Sequence, residues 1–299
     1  MKGVHIHNVS KSYVMKKSKV QALQNVSFDV REGELFGLIG PDGAGKTTLF
    51  RLLTTLLFPD EGKLTVNGKD TVTDFMELRR EVGYMPGRFS LYTDLTVEEN
   101  LNFFAHIFNT TVRENYSLIQ NIYRQIEPFK HFKAGKLSGG MKQKLALSCA
   151  LIHRPKTLFL DEPTTGVDAV SRKEFWELLK ELCREGITII VSTPYMDEAS
   201  LCERVALIQK GRIMQVNTTE GLKNAFGHAL LAVKSHDRLQ MIQQLKEKVE
   251  VEDIYPFGDT HHVVLKKGVH SIALPEGIEG GSVEPDIEDC FISLMKSHA

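Results

Sequence analysis

Residues Gly40-Pro41-Asp42-Gly43-Ala44-Gly45-Lys46-Thr47-Thr48 carry the spacing G-x-x-x-x-G-K-[ST], the spacing of a loop that wraps phosphate oxygens. Glycines at 40, 43 and 45 open backbone angles closed to other residues, so successive N–H groups can converge on an anion at a helix N-terminus. Lys46 supplies a point charge for β- and γ-phosphates, and the Thr47 hydroxyl is suited to ligate Mg²⁺. Two adjacent carboxylates, Asp161 and Glu162, end the mostly apolar run Thr157 to Leu160. Such a pair suits the outer coordination of Mg²⁺ and a general base for water. In Leu137-Ser138-Gly139-Gly140-Met141, Ser138 is a natural N-cap and the two glycines expose N–H groups to an anion.

The elements around these residues follow from the hydrophobic pattern. Leu35 to Ile39 reads as a buried strand entering the glycine-rich loop, and Leu49 to Leu57 as an amphipathic helix leaving it. Val4 to Asn8 and Val20 to Val30 alternate like half-exposed strands, predicting a small antiparallel layer ahead of the loop. Tyr13 falls between them, where an aromatic either stacks on a nucleotide base or covers apolar surface at a strand end. Asn67-Gly68 is a hairpin signal after the strand Lys63 to Val66, and Glu81 to Met85 is a further strand ended by Pro86-Gly87. Thr96-Val97-Glu98-Glu99 is a capping box that opens a mostly helical stretch to about Ala150. The strand Thr157 to Leu160 delivers Asp161 and Glu162 at its C-terminal end, the edge at which open parallel sheets bind ligands. Ala169 to Arg184 then reads as a helix and Ile187 to Ser192 as another buried strand. Val205 to Ile208 and Arg212 to Val216 read as a hairpin across Lys210-Gly211.

Length and composition bound the rest. A chain of 299 residues suggests two domains, or one large domain with an appendage. The pattern changes near residue 227, giving a first domain over 1–226 with its helical insertion at about 88–150, and a small α/β module over 227–299. A formal charge of −1 gives no polybasic character for nucleic acid. No run approaches the roughly 18 apolar residues of a membrane span, and the N-terminus lacks a signal-peptide pattern. A cytosolic protein that meets the membrane only through a partner is the expectation. The four cysteines, Cys149, Cys183, Cys202 and Cys290, lack metal-ligand spacing and read as reduced small hydrophobes. His261 and His262 are adjacent, so on a strand they face opposite sides, and they read as surface residues.

The phosphate loop, LSGGM and a strand ending Asp161-Glu162-Pro163, in this order and at domain-sized spacing, resemble the nucleotide-binding subunit of an ATP-binding cassette (ABC) transporter. The resemblance covers about Val4 to Val216. It implies an α/β fold, a P-loop NTPase (RecA-like core) with an antiparallel β subdomain and a helical insertion. It further implies that Tyr13 stacks on adenine, that Gly40 to Thr48 holds the ATP phosphates, and that Asp161 holds Mg²⁺ through water, with Thr47 as a direct ligand. Glu162 becomes the base for the attacking water, and Ser138, Gly139 and Gly140 the signature that touches the γ-phosphate held by a facing cassette. Asp168 matches the loop coupling the two sites. The partners implied are a second cassette, identical or different, and a membrane subunit. Pro285 to Phe291 looks like the closing element of drug-resistance-type exporter ATPases that serve ABC-2 membrane proteins; an ordinary capped helix at a chain end is the other reading.

Two positions depart from the family pattern, and both lie at the γ-phosphate. After Gly83-Tyr84-Met85-Pro86 the family usually has Gln, whereas Gly87 stands here; after Ile190-Val191-Ser192-Thr193 it usually has His, whereas Pro194 stands here. Arg88 and Tyr195 are next to these positions but point elsewhere by turn and strand alternation. Losing contacts that matter most in the transition state weakens catalysis more than binding. The expectation is a chain that binds ATP, hydrolyses it slowly at its own loop, and lends an intact signature to a partner's site. A homodimer in which Glu162 suffices, a soluble non-transport ABC ATPase and a regulatory ATP-binding subunit with little turnover are the alternatives.

Overall fold

The structure, a computed structural model, describes residues 3–15 and 18–297. Its contacts divide the chain into two compact units between Thr218 and Thr219.

The first unit opens with β1 (Val4–Met15) and β2 (Ser18–Val30), which pair antiparallel. Strand β1 is longer than its alternation suggests, and the reason is local. Asn8 takes φ 49° and the register shifts between Ile6 and Val9, so a bulge interrupts the two-residue period at the point where the pattern stops. Tyr13 therefore lies within β1, paired with Val20, rather than between two strands. Strand β3 (Leu35–Ile39), buried throughout, leads through the glycine-rich loop into α1 (Lys46–Leu53). The helix begins three residues earlier than its apolar stripe, because the loop delivers Lys46 directly in helical geometry. It ends early as well: Thr55 turns left-handed at φ 61°.

Next come β4 (Glu61–Val66) and β5 (Lys69–Asp70), joined by the Asn67-Gly68 turn, whose φ values of 55° and 80° are those of a hairpin turn. Helix α2 (Phe75–Glu81) and strand β6 (Val82–Met85) follow. The helical insertion contains α3 (Val97–Ile107), α4 (Tyr116–Tyr123) and α5 (Gly139–Leu151). The capping box of α3 is formed in full: Thr96 and Glu99 each accept the other's backbone N–H. Strand β7 (Thr157–Asp161), helix α6 (Ala169–Arg184), strand β8 (Thr188–Thr193), helix α7 (Met196–Ala199) and the hairpin β9 (Arg204–Gln209) and β10 (Arg212–Thr218) complete the unit. Two sheets result. One is antiparallel, in the order β2-β1-β4-β5; the other has the order β10-β9-β3-β8-β7-β6, parallel except at β10. Strands β3, β7 and β8 are buried along their whole length, as strands covered on both faces must be, so their apolar runs do not alternate.

The second unit holds α8 (Thr219–Asn224), β11 (Leu230–Lys234), α9 (Arg238–Lys246), β12 (Val251–Phe257), β13 (Thr260–Leu265), β14 (Glu279–Val283) and α10 (Ile287–Ser297). Its sheet has the order β12-β13-β11-β14. The break lies eight residues before the 226/227 composition change. Helix α8 belongs with this unit, since the Cys290 thiol of α10 donates to the Leu222 carbonyl at 3.5 Å. Strand β14 has no sequence signal, because its glycines are depleted in strands. Gly280 is required there: a Cβ would come within 2.4 Å of the Ala232 carbonyl on β11.

His261 and His262 correct the surface reading. They face opposite sides of β13, yet both are buried. On the α10 side, Asp289 accepts hydrogen bonds from Tyr255 and His262, both at 2.7 Å, while the Asp286 N–H reaches its second oxygen. A carboxylate fully enclosed in the fold thus draws two strands and a helix together, which is the usual condition for burying a charge. Sequence pattern cannot show this, because the partner lies 27 residues away.

Candidate active site

The site is assembled at the C-terminal ends of β3, β7 and β8. Two glycines in the loop are there because nothing else fits. A Cβ at Gly40 would lie 2.1 Å from the Ile208 carbonyl, and one at Gly45, where φ is 109°, 2.6 Å from the Ala22 carbonyl. Helix α1 starts at Lys46, so its first N–H groups lack intrahelical partners and point toward the loop. The Lys46 side chain is buried. Its ammonium donates to the Gly40 carbonyl at 2.7 Å and the Pro41 carbonyl at 3.1 Å, and lies 3.1 Å from Glu162 Oε1.

Asp161, only 2% exposed, accepts from the Thr47 hydroxyl at 2.7 Å on one oxygen and from the Ser192 hydroxyl at 2.6 Å on the other. Thr47 and Asp161 therefore converge, although 114 residues separate them. A hydroxyl and a carboxylate side by side offer hard oxygens, and Mg²⁺ takes few protein ligands beside water and phosphate; the donor set fits it. Among the described residues no group of three or more His, Cys, Asp or Glu side chains could hold a metal without such help. Burial, with the Asp161 charge nearby, pushes the Tyr84 phenol up to about 12, so it stays neutral beside the site.

Glu162 sits at φ 50°, a left-handed conformation that costs a non-glycine residue about 1 kcal/mol or more. Ser192 holds it there: the Glu162 N–H donates to the Ser192 carbonyl at 3.0 Å and to its hydroxyl at 3.1 Å. Sequence reasoning overlooked Ser192, which holds the Asp161 carboxylate and the Glu162 backbone at once. The available signal was a hydroxyl at the end of an otherwise apolar, β-branched buried strand. It also overlooked Glu198, buried on α7, which accepts from Thr164 at 2.6 Å and Thr193 at 2.5 Å and so ties the loop after Glu162 to the end of β8.

Tyr13 reaches the loop from β1, its phenol 3.3 Å from the Thr48 hydroxyl. Pro41 and Asp42 stay exposed at the loop's tip, while Ala44 is buried beneath it. Ser138, exposed, caps α5 by accepting the Met141 N–H. Gly140 packs against α6 so closely that a Cβ would lie 2.7 Å from the Ser171 hydroxyl. Among the described residues no hydrogen bond or ion pair joins the Ser138–Gly140 turn to the Gly40–Thr48 loop within the chain. Asp168 caps α6, accepting from the Val170 and Ser171 N–H groups, and these bonds hold its carboxyl below the usual range. Gly87 follows β6 beside the carboxylates. A Cβ there would lie 3.0 Å from the Asp161 carbonyl and 3.8 Å from Asp161 Oδ2. The Tyr195 ring is engaged from the other side, with the Arg172 guanidinium 4.7 Å from its centroid.

Known proteins resemble this chain. The family model described as "ABC transporter" matches residues 23–165. A probable multidrug ABC transporter ATP-binding protein of Escherichia coli (strain K12), YbhF, is 40% identical over 276 residues, 89% of this chain and 48% of that protein, so the chain spans about half the length of this relative. The Nod factor export ATP-binding protein I of Burkholderia thailandensis is 36% identical over 78% of either chain. The ABC transporter ATP-binding protein NatA of Bacillus subtilis is 34% identical over 73% of this chain and 91% of its own. Among solved structures, a dimeric post-hydrolysis ATP-binding cassette bound to ADP and phosphate superposes with a TM-score of 0.66 at 27% identity, covering 72% of this chain and 98% of that one. With a glycine-rich loop and paired carboxylates at the strand ends of this parallel sheet, the chain belongs to the ATP-binding cassette proteins of ABC transporters.

Proposed function

We propose that this chain couples ATP binding and hydrolysis to export of a small molecule or drug through an integral-membrane partner of the ABC-2 type, as the degenerate half of an asymmetric cassette pair. The observation that carries the asymmetry is position 87: its Cα direction leads to within 3.8 Å of the Asp161 carboxylate, and glycine puts nothing there. Pro194 likewise brings no donor to the end of β8, and Tyr195 faces Arg172.

The remaining machinery has defined tasks. Lys46 would hold the β- and γ-phosphates, and Glu162 would orient and deprotonate the attacking water. Tyr13, whose phenol lies 3.3 Å from the Thr48 hydroxyl, would stack on the base. Thr47 and Asp161 would hold Mg²⁺, which when bound neutralises phosphate charge. Each transition-state donor absent at 87 and 194 is worth about 2 to 4 kcal/mol by analogy with other such donors. Binding survives their loss, whereas turnover falls. Ser138 to Gly140 would act on the nucleotide of a facing cassette. The stretch Arg88 to Asp94 borders an apolar groove of about 370 Å³ lined by Met85, Phe89, Leu91, Phe104 and Ile107, which suits a cytoplasmic helix of the membrane partner. Among the described residues no helix is long and apolar enough to cross a membrane, so a peripheral place at the inner face rests on that partner.

The test is turnover with and without a second cassette. Purified alone, the chain should bind Mg-ATP and hydrolyse it slowly; mixed with a cassette whose site is complete, it should support hydrolysis that Ser138→Ala removes. Brisk turnover by the chain alone, abolished by Glu162→Gln, would overturn the asymmetric pair.

A further inference from the structure

The second unit carries a polar cavity of about 280 Å³ between the end of β11, the start of α9, the β12–β13 turn and the start of β14. It is lined by Lys234, His236, Arg238, Asp259, His261 and Glu279. Its size falls just below the range of roughly 300–1,000 Å³ for drug-sized ligands, so its occupant is small.

Three of these side chains are without partners. His261 is 8% exposed and lines the cavity, yet among the described residues no hydrogen bond or ion pair reaches its ring. Its ring nitrogens stay open to the cavity, where a bound molecule or water can reach them. Burial, with the Arg238 charge beside it, holds the imidazole below its ordinary value, so near neutral pH it presents one donor and one acceptor. Arg238 and Asp259 face the same cavity with opposite charges and form no ion pair within 4.0 Å. Lys234 and Glu279, by contrast, are paired at 3.5 Å and neutralise each other. Arg238 is the first residue of α9, where Asp237 caps only the Gln240 N–H at 2.9 Å; the positive helix end adds to the Arg238 side. The cavity thus has a cationic end, an anionic wall and a neutral buried imidazole between strands and helix.

We propose that this cavity binds a small zwitterion of the α-amino-acid class, its carboxylate toward Arg238 and the start of α9, its ammonium toward Asp259, with His261 bonding to the bound molecule. One ligand carrying both charges engages all three groups at once. A simple anion would leave Asp259 unmatched and repelled, and a simple cation would do the same to Arg238. Nothing in this inference depends on the nucleotide site, since no residue of the first unit lines the cavity.

The experiment follows the His261 imidazole signal by NMR in the full chain while each proteinogenic L-amino acid is added separately, with acetate and methylammonium as the two half-ligands. The expected result is a saturable shift with at least one amino acid, no shift with either half-ligand at the same concentration, and affinity weakened about tenfold or more by Arg238→Ala and by Asp259→Asn, a loss of about 1.4 kcal/mol or more. Both variants alter exposed side chains, so an unchanged melting temperature is expected and is checked beside the titration. The proposal is overturned if no amino acid moves the signal, if acetate moves it equally well, or if Asp259→Asn leaves the affinity unchanged.

Discussion

At the scale of single residues, the nucleotide site is a set of side chains whose roles separate by substitution. Replacing Glu162 with Gln keeps the backbone bonds to Ser192 and should abolish what turnover exists without weakening ATP binding, measured by phosphate release beside nucleotide binding. Ser192→Ala removes a hydroxyl that donates to the Asp161 carboxylate and accepts from the Glu162 N–H. Leaving a buried acceptor short costs about 1 to 3 kcal/mol, so this variant should lose stability and activity together, read by melting and phosphate release. Restoring the departed positions is the converse experiment. Pro194→His together with Gly87→Gln should raise turnover at the chain's own loop by tenfold or more, at about 1.4 kcal/mol per tenfold. The Cβ at 87 needs only a few tenths of an ångström from the Asp161 carbonyl. The residue types of the loop, the carboxylate pair and the signature were legible in the sequence because each is local. Ser192, Glu198 and Arg172 were not, since their meaning lies in partners on other strands and helices.

At the scale of elements, caps and strand ends decide whether the site residues are presented at all. The Thr96 capping box is a clean case: Thr96→Ala should cost about 1 kcal/mol, a fall of roughly 2–4 °C in melting temperature for a unit of this size, with ATP binding unchanged. His153 supplies a pH-dependent one. Its Nε2 donates to the Val82 carbonyl at 3.1 Å, its ring stacks on Phe108, and its Nδ1 has no partner. Burial lowers its pKa below 6.5, the Val82 bond opposing in part. As the pH falls below about 6.5 the unfolded chain therefore takes the proton first, and stability drops through the window down to the lowered folded value. Melting at about pH 7.5 and about pH 5.5 should show this loss, and His153→Gln should reduce it; His261, lowered in the same direction, accounts for a further share. Helix and strand identities were largely readable from periodicity. Boundaries failed where backbone exceptions intervened: the Asn8 bulge hid the second half of β1, and glycine hid β14.

At the scale of the whole molecule, two units meet different demands. The first is a sheet buried on both faces whose strand ends carry chemistry; the second is a smaller antiparallel sheet pinned by one enclosed carboxylate. Asp289→Ala would strand Tyr255 and His262 without their acceptor. A loss on the order of 3 kcal/mol is expected for breaking such a buried pair, concentrated in the second unit, so that limited proteolysis should cut after about residue 219 while ATP binding persists. The two-part organisation was visible as a change in composition near residue 227. The true break, eight residues earlier, was not, because α8 declares its allegiance only by packing on α10.

The contact between Lys46 and Glu162 has a consequence for how nucleotide enters. With 3.1 Å between ammonium and carboxylate, the seat for a phosphate already holds an anion, tethered to the same protein. On the proposed roles, loading would be an ion exchange: an incoming phosphate would displace an internal counterion, and the displaced carboxylate would be released to face water as the nucleotide is seated. Neutralising that counterion by Glu162→Gln should tighten ATP binding as well as stop hydrolysis. The affinity of the unmodified chain should depend less steeply on ionic strength than that of the variant, because one anion replaces another at an ammonium that is never left bare.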